Sequence, residues 1–190
     1  APITWSIPNL APIVVPPTAK TTLPGAPFTA SFTGSDPEGH AFSVSATGLP
    51  KGLVVNNIAK AITGTPMASG TFSVTLTATD AYGGKSSAQP FHITIPNEAP
   101  NVLTPIANMT TVAGTPATVP INVADPEGHK LLITVNGINV YPLASSLPPG
   151  MVINSTTKTI TGTPLRGGVY TVSLKVADVY GAYTNMPAFT

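Results

Sequence analysis

The chain has no cysteine, which excludes disulfide staples, thiol catalysis and cysteine-ligated metals. Charge is scarce as well. Asp, Glu, Lys and Arg together make up 8% of the 190 residues, against roughly a quarter in an average soluble domain. The net charge is +1 and the basic residues form no cluster, so the electrostatic footprint of a nucleic-acid binder is missing. No apolar run approaches the ~18 residues of a membrane-spanning helix. Strong helix formers such as Glu and Lys are few, while 22 Pro and 17 Gly interrupt every stretch in which a long helix could propagate. There is no leader-like segment and the first residue is Ala1, which reads as a processed or excised start.

What remains is rich in Thr, Ser, Val and Ile, residues that suit strands. Hydrophobic residues make up 42%, enough for a packed core, and the length accommodates two β-sandwiches of about 100 residues each. Low charge with abundant Thr and Ser points to a secreted surface protein.

One pattern occurs twice. Asp36-Pro37-Glu38-Gly39-His40 returns unchanged as Asp125-Pro126-Glu127-Gly128-His129, and Ile62-Thr63-Gly64-Thr65-Pro66 as Ile160-Thr161-Gly162-Thr163-Pro164. Leu49-Pro50-Lys51-Gly52-Leu53 returns as Leu147-Pro148-Pro149-Gly150-Met151, and Asp80-Ala81-Tyr82-Gly83 as Asp178-Val179-Tyr180-Gly181. The linker Asn9-Leu10-Ala11-Pro12 returns as Asn97-Glu98-Ala99-Pro100. The second copy carries an insertion near residues 136 to 144. Between these turn motifs, apolar and polar residues alternate with the period of half-buried strands. Phe72, Val74, Leu76 and Ala78 form the clearest case, and the spacing predicts strands over 28–32, 131–135 and 169–176 as well.

The ordered set of motifs resembles the dystroglycan-type cadherin-like family and the related bacterial Ig-like ("Putative Ig") tandem repeats. It does so over nearly the whole chain. The resemblance implies an all-β fold of two tandem immunoglobulin-like/cadherin-like β-sandwich domains. It also implies a place in extracellular adhesins, receptors or modules appended to secreted enzymes. The expected boundaries are an extra strand over residues 1–8, a first domain over 9–96 and a second over 97–190. Pro-containing linkers at 9–12 and 97–100 are expected to be stiff.

The extra strand has a specific reading. Ala1–Pro12 matches Gln89–Pro100, so that Ile3, Trp5 and Ile7 correspond to Phe91, Ile93 and Ile95. Ile3–Ile7 is thus a last strand without a domain ahead of it, while the second copy reaches Phe189 and Thr190 without a counterpart of Ile93-Thr94-Ile95. Two readings stand: an excerpt from a longer array, or donation of Ile3–Ile7 to the second domain of a neighbouring copy. Donation makes Ile3, Trp5, Ile7 and Phe189 assembly residues, and head-to-tail donation builds a filament.

All seven carboxylates lie in the repeated loops or the linker: Asp36, Glu38, Asp80, Glu98, Asp125, Glu127 and Asp178. In the resembling family the equivalent loops bind Ca²⁺, which makes these residues, with Asn97, the candidate metal ligands, the first grouping being Asp36, Glu38, Asp80, Asn97 and Glu98. The same sequences are good turns without any ion, and His40 and His129 are expected as exposed turn residues. No catalytic motif is present, so no enzyme activity is expected. Asn108-Met109-Thr110 and Asn154-Ser155-Thr156 are glycosylation sequons. The functional expectation is an extracellular structural or adhesive surface protein that serves as a fibre subunit. Its partners are further copies, neighbouring domains of a longer chain, or glycans. The alternatives are a carbohydrate-binding or spacer module of a secreted enzyme and a calcium-dependent adhesin.

Overall fold

The computed structural model describes residues 7–135 and 147–190, and all regular structure among them is β. The chain divides into two units between Asn97 and Glu98.

Unit 1 contains β1 (Ile13–Val15), β2 (Lys20–Thr21), β3 (Phe28–Ser31), β4 (Thr33–Ser35), β5 (Phe42–Thr47), β6 (Leu53–Asn56), β7 (Ala61–Gly64), β8 (Gly70–Asp80), β9 (Lys85–Ser87) and β10 (Phe91–Ile95). One sheet runs β3-β7-β6 and a second β2-β10-β8-β5, with β9 on the far half of β8, and β1 pairs with β4. Alternation places Val74, Leu76 and Ala78 of β8 and Phe91, Ile93 and Ile95 of β10 in the core, against Phe28, Ala30 and Ile62 of the opposite sheet. Each such side chain contributes roughly 1.5–3 kcal/mol on burial. His92, between Phe91 and Ile93, is exposed, as the period of two requires.

Unit 2 repeats the plan. Its strands are β11 (Asn101–Thr104), β12 (Ala117–Pro120), β13 (Asn122–Ala124), β14 (Leu131–Val135), β15 (Met151–Asn154), β16 (Thr159–Gly162), β17 (Leu174–Asp178) and β18 (Tyr183–Asn185). They form β12-β16-β15 and β14-β17-β18, with β11 on β13. Val119, Ile133, Ile160, Leu174 and Val176 make the core.

The units differ at one edge. In unit 1, β8 is long because β10 pairs with its first half, from Phe91 opposite Val74 to Ile95 opposite Gly70. In unit 2 the strand expected over 169–176 begins only at Leu174. Among the described residues, the sole pairing before it is a bridge between Val172 and Phe189, which exchange both backbone hydrogen bonds at 2.8 and 3.0 Å. Gly168–Thr171 carry the right alternation but lie in no strand. A ladder needs a second backbone as well as an apolar face.

Candidate functional site

Two features of the fold could act on something outside it. The first is the acidic end of each unit. In unit 1, Asp36 Oδ1 accepts hydrogen bonds from the amides of Glu38 (3.0 Å) and His40 (2.9 Å). Asp80 Oδ1 does the same for Tyr82 (2.7 Å) and Gly84 (2.9 Å). Each Asp thus closes its own loop, the turn role that the sequence allows it. The linker docks on these loops: Leu10 N donates to Glu38 Oε1 (3.0 Å) and Asn9 Nδ2 to Asp80 Oδ2 (2.9 Å), across 71 residues of sequence. The Pro12 carbonyl also accepts from Ser86 Oγ.

Burial raises the Asp80 pKa. Against it, hydrogen bonds from the Asn9 side chain and the backbone of Tyr82, Gly84 and Gly83 lower it, leaving the carboxyl below its ordinary value of 3.8. A depressed carboxylate pKa stabilises the fold above the unfolded-state pKa, and the benefit is lost as pH falls through the folded-state value. Asn9→Ala removes the largest of the stabilising contacts. Unit 1 of the variant is expected to melt earlier than the parent at neutral pH, the two converging as pH falls through the depressed folded-state pKa of Asp80 and the carboxyl is protonated in both. Thermal melts followed by circular dichroism between pH 2 and 7 check this, and a difference that persists undiminished at pH 2 contradicts it.

Unit 2 has the same loops. Asp125 Oδ1 holds the amides of Glu127 (3.1 Å) and His129 (2.9 Å), and Asp178 Oδ1 those of Tyr180 (2.7 Å) and Ala182 (3.2 Å). Glu98 N donates to Glu127 Oε1 at 3.1 Å, as Leu10 does to Glu38. Glu98 therefore sits with the second set of loops, although the sequence grouped it with the first. The histidines also depart from expectation. Each is packed against the loop tyrosine, His40 on Tyr82 at 4.5 Å between ring centroids and His129 on Tyr180 at 4.7 Å. Each turns Nδ1 toward the carboxylates, at 3.6 Å from Asp36 and 3.3 Å from Asp125. They are half-buried, not exposed turn residues. The signal for this was present, since His follows the acidic turn in both copies.

The second feature is an apolar groove of about 340 Å³ in unit 2. Val119, Leu147, Met151, Ile160, Tyr170 and Phe189 line it. It opens beside Gly168–Val172, the edge that lacks a strand. The equivalent place in unit 1 is filled by Ile93 and Ile95 of β10, both fully buried. Phe189 itself is buried and Ile7 is 88% exposed. Ile3 and Trp5 lie outside the described residues. Of the sequons, Asn108 is exposed with its Oδ1 accepting from Thr190 N at 2.9 Å, and Asn154 is exposed with its Oδ1 holding the amides of Thr156 and Thr157.

The family model described as "Putative Ig domain" matches residues 11–96 and again 99–190. The serine-rich adhesin for platelets of Staphylococcus aureus strain USA300 is 33% identical over 142 residues, which are 74% of this chain and 6% of the adhesin. The same-named protein of strain MRSA252 is 32% identical over 142 residues, 10% of its length. The chain thus spans a tenth or less of these relatives. Among solved structures, Sidekick-1 immunoglobulin domains 1–5 are 14% identical, with a TM-score of 0.41 over 95% of this chain and 38% of that one. Two consecutive matches covering nearly every residue establish the Ig-like side of the resemblance drawn from the motifs: the chain belongs to the "Putative Ig domain" family, as a tandem pair.

Proposed function

We propose that this chain is an adhesive module of an extracellular surface protein and that copies join head to tail, Ile3–Ile7 of one entering the groove in unit 2 of the next. The observation that carries this reading is the groove itself, which lies beside an unpaired edge where unit 1 holds Ile93 and Ile95. Similarity to surface adhesins supports the adhesive, extracellular setting.

In the register of unit 1, Trp5 stands opposite Tyr170 and Ile7 opposite Gly168. Ile3 reaches the Val172 position that Phe189 now holds. Backbone hydrogen bonds along Gly168–Thr171 give affinity, and the two side chains entering the groove give specificity. An edge covered in this way no longer invites other strands. Donor and acceptor are different surfaces of one chain, so the contact does not close on itself and a filament grows.

Negative-stain microscopy of the purified chain is expected to show continuous filaments. A chain lacking residues 1–8 is expected to give separate particles, and added peptide of residues 1–8 to bind it one to one. Separate particles from the full chain, or filaments that survive the deletion, overturn the proposal.

A further inference from the structure

Unit 1 is a measure of the groove in unit 2, because the two units pair in the same register. Phe28 stands opposite Gly64 in unit 1, and Ala117 stands opposite Gly162 in unit 2. Phe28 is buried in one apolar cluster with Ile93 and Ile95. Its counterpart Ala117 shares the inward face of β12 with buried Val119, yet it is only half-buried and lines the groove. A phenyl ring is thus missing from the wall. The next inward position changes the other way, from Ala30 to Val119, and returns only the methyls of a valine. Met151, in the place of buried Leu53, is left half-buried too.

The N-terminal strand changes in the opposite sense. Aligned on Gln89–Pro100, it carries Trp5 where unit 1 has Ile93. Ile93 lies between two backbones, opposite Phe72 on one side and Lys20 on the other. Both neighbours have counterparts at the groove. Tyr170 corresponds to Phe72, since Val172 bridges Phe189 as Val74 pairs with Phe91. Met109 corresponds to Lys20, five residues before the glycine whose amide donates to a proline carbonyl, Gly25 to Pro66 and Gly114 to Pro164. The Trp5 position therefore falls at the centre of the groove and points inward.

We propose that unit 2 selects an indole at the centre of the incoming strand, and that Ala117 is the residue that sets this choice. The proposal rests on head-to-tail strand donation and says which strand the groove accepts. A lost ring leaves a cavity whose cost grows with its volume unless something fills it. An enlarged side chain needs a wall cut back to match. Phe28 with Ile93, and Ala117 with Trp5, are two ways of filling the same space. The mismatched pairs are a void and a clash. Phe28 also closes this place in unit 1, where Ile93 is fully buried, so the donated strand is steered away from the wrong unit.

The test uses the full chain in four forms: parent, Trp5→Ile, Ala117→Phe and the double variant. Sedimentation gives the critical concentration for filament growth of each. Either single substitution is expected to raise it by about tenfold or more, and the double variant to return close to the parent. Trp5 is the only tryptophan in the chain, so its emission should shift to the blue as parent filaments form. If Ala117→Phe does not fold, Trp5→Phe decides, with a critical concentration between those of the parent and Trp5→Ile. Trp5→Ile assembling as readily as the parent, or a double variant no better than either single, overturns the selection while strand donation stands. A parent chain that forms no filaments overturns strand donation itself, and the selection with it.

Discussion

Gly64→Ala is expected to unfold unit 1 or bring it to the edge of unfolding, with a loss of about 3–5 kcal/mol. Gly64 has φ +138°, a conformation that L side chains rarely adopt, and a Cβ there would stand 2.1 Å from the carbonyl oxygen of Gly52. Gly52 in turn has φ +93°, and its own Cβ would stand 2.0 Å from the carbonyl oxygen of Thr65. The obstacle on each side is backbone, so no side-chain rotation relieves it. Nor can the strand move. Gly64 ends β7, which is hydrogen-bonded on both sides, with Phe28 of β3 and Leu53 of β6 opposite this residue. Domains of this size are held by only about 5–15 kcal/mol. Urea melts should show the unit 1 transition shifted or lost while that of unit 2 persists. Gly162→Ala should do the reverse, because its Cβ would meet the Gly150 carbonyl at 2.1 Å. Gly39→Ala is the control: it has positive φ but nothing within 4 Å, and should cost about 1–2 kcal/mol from backbone strain alone. A loss under 1 kcal/mol for Gly64→Ala contradicts this account.

The same glycine pair explains what the repeat preserved. Leu-Pro-x-Gly and Ile-Thr-Gly-Thr-Pro are separate motifs in the sequence, and nothing in their spacing says that they touch. In the fold they are one device, the contact that seats β6 on β7 and β15 on β16. Strand positions were legible because the period of two reports which side chains face a core. The expected strand over 131–135 is present, and each of its five residues lies in β14. The strand expected over 169–176 fell short for the complementary reason: alternation is a property of one segment, while pairing depends on another.

The acidic site was legible in part. Turn chemistry identified Asp36, Asp80, Asp125 and Asp178 as loop-closing residues, and that is what their Oδ1 atoms do. The linker contacts were not readable. Asn9 reaches Asp80, and Glu98 reaches Glu127, across spans that only the fold closes. His129 was undervalued because a histidine after a turn is usually solvated. Here the ring packs edge-to-face with Tyr180, and Nδ1 lies 3.3 Å from Asp125 Oδ1.

Extending the chain beyond Thr190 by Ile-Thr-Ile-Pro, the sequence that follows His92 in unit 1, is expected to raise the stability of unit 2 by about 3–6 kcal/mol. Phe189 already occupies the Val172 bridge that Phe91 makes with Val74, so the added residues start in register. The two isoleucines would fall opposite Tyr170 and Gly168, as Ile93 and Ile95 fall opposite Phe72 and Gly70. Each buries a side chain worth roughly 1.5–3 kcal/mol in the open groove, and the strand pairs backbone that now faces solvent. Thermal unfolding should then show the unit 2 transition moving up by 10 °C or more, on the order of several degrees per kcal/mol, with unit 1 unchanged. The extension also separates two roles of the groove. A groove that receives a donated strand is filled in advance, so filaments should disappear even though residues 1–8 are intact. If the extension stabilises unit 2 while filaments still form, the groove completes the fold but does not join the copies. If unit 2 is not stabilised at all, the groove is not a strand site, and the equivalence drawn between Phe189 and Phe91 fails with it.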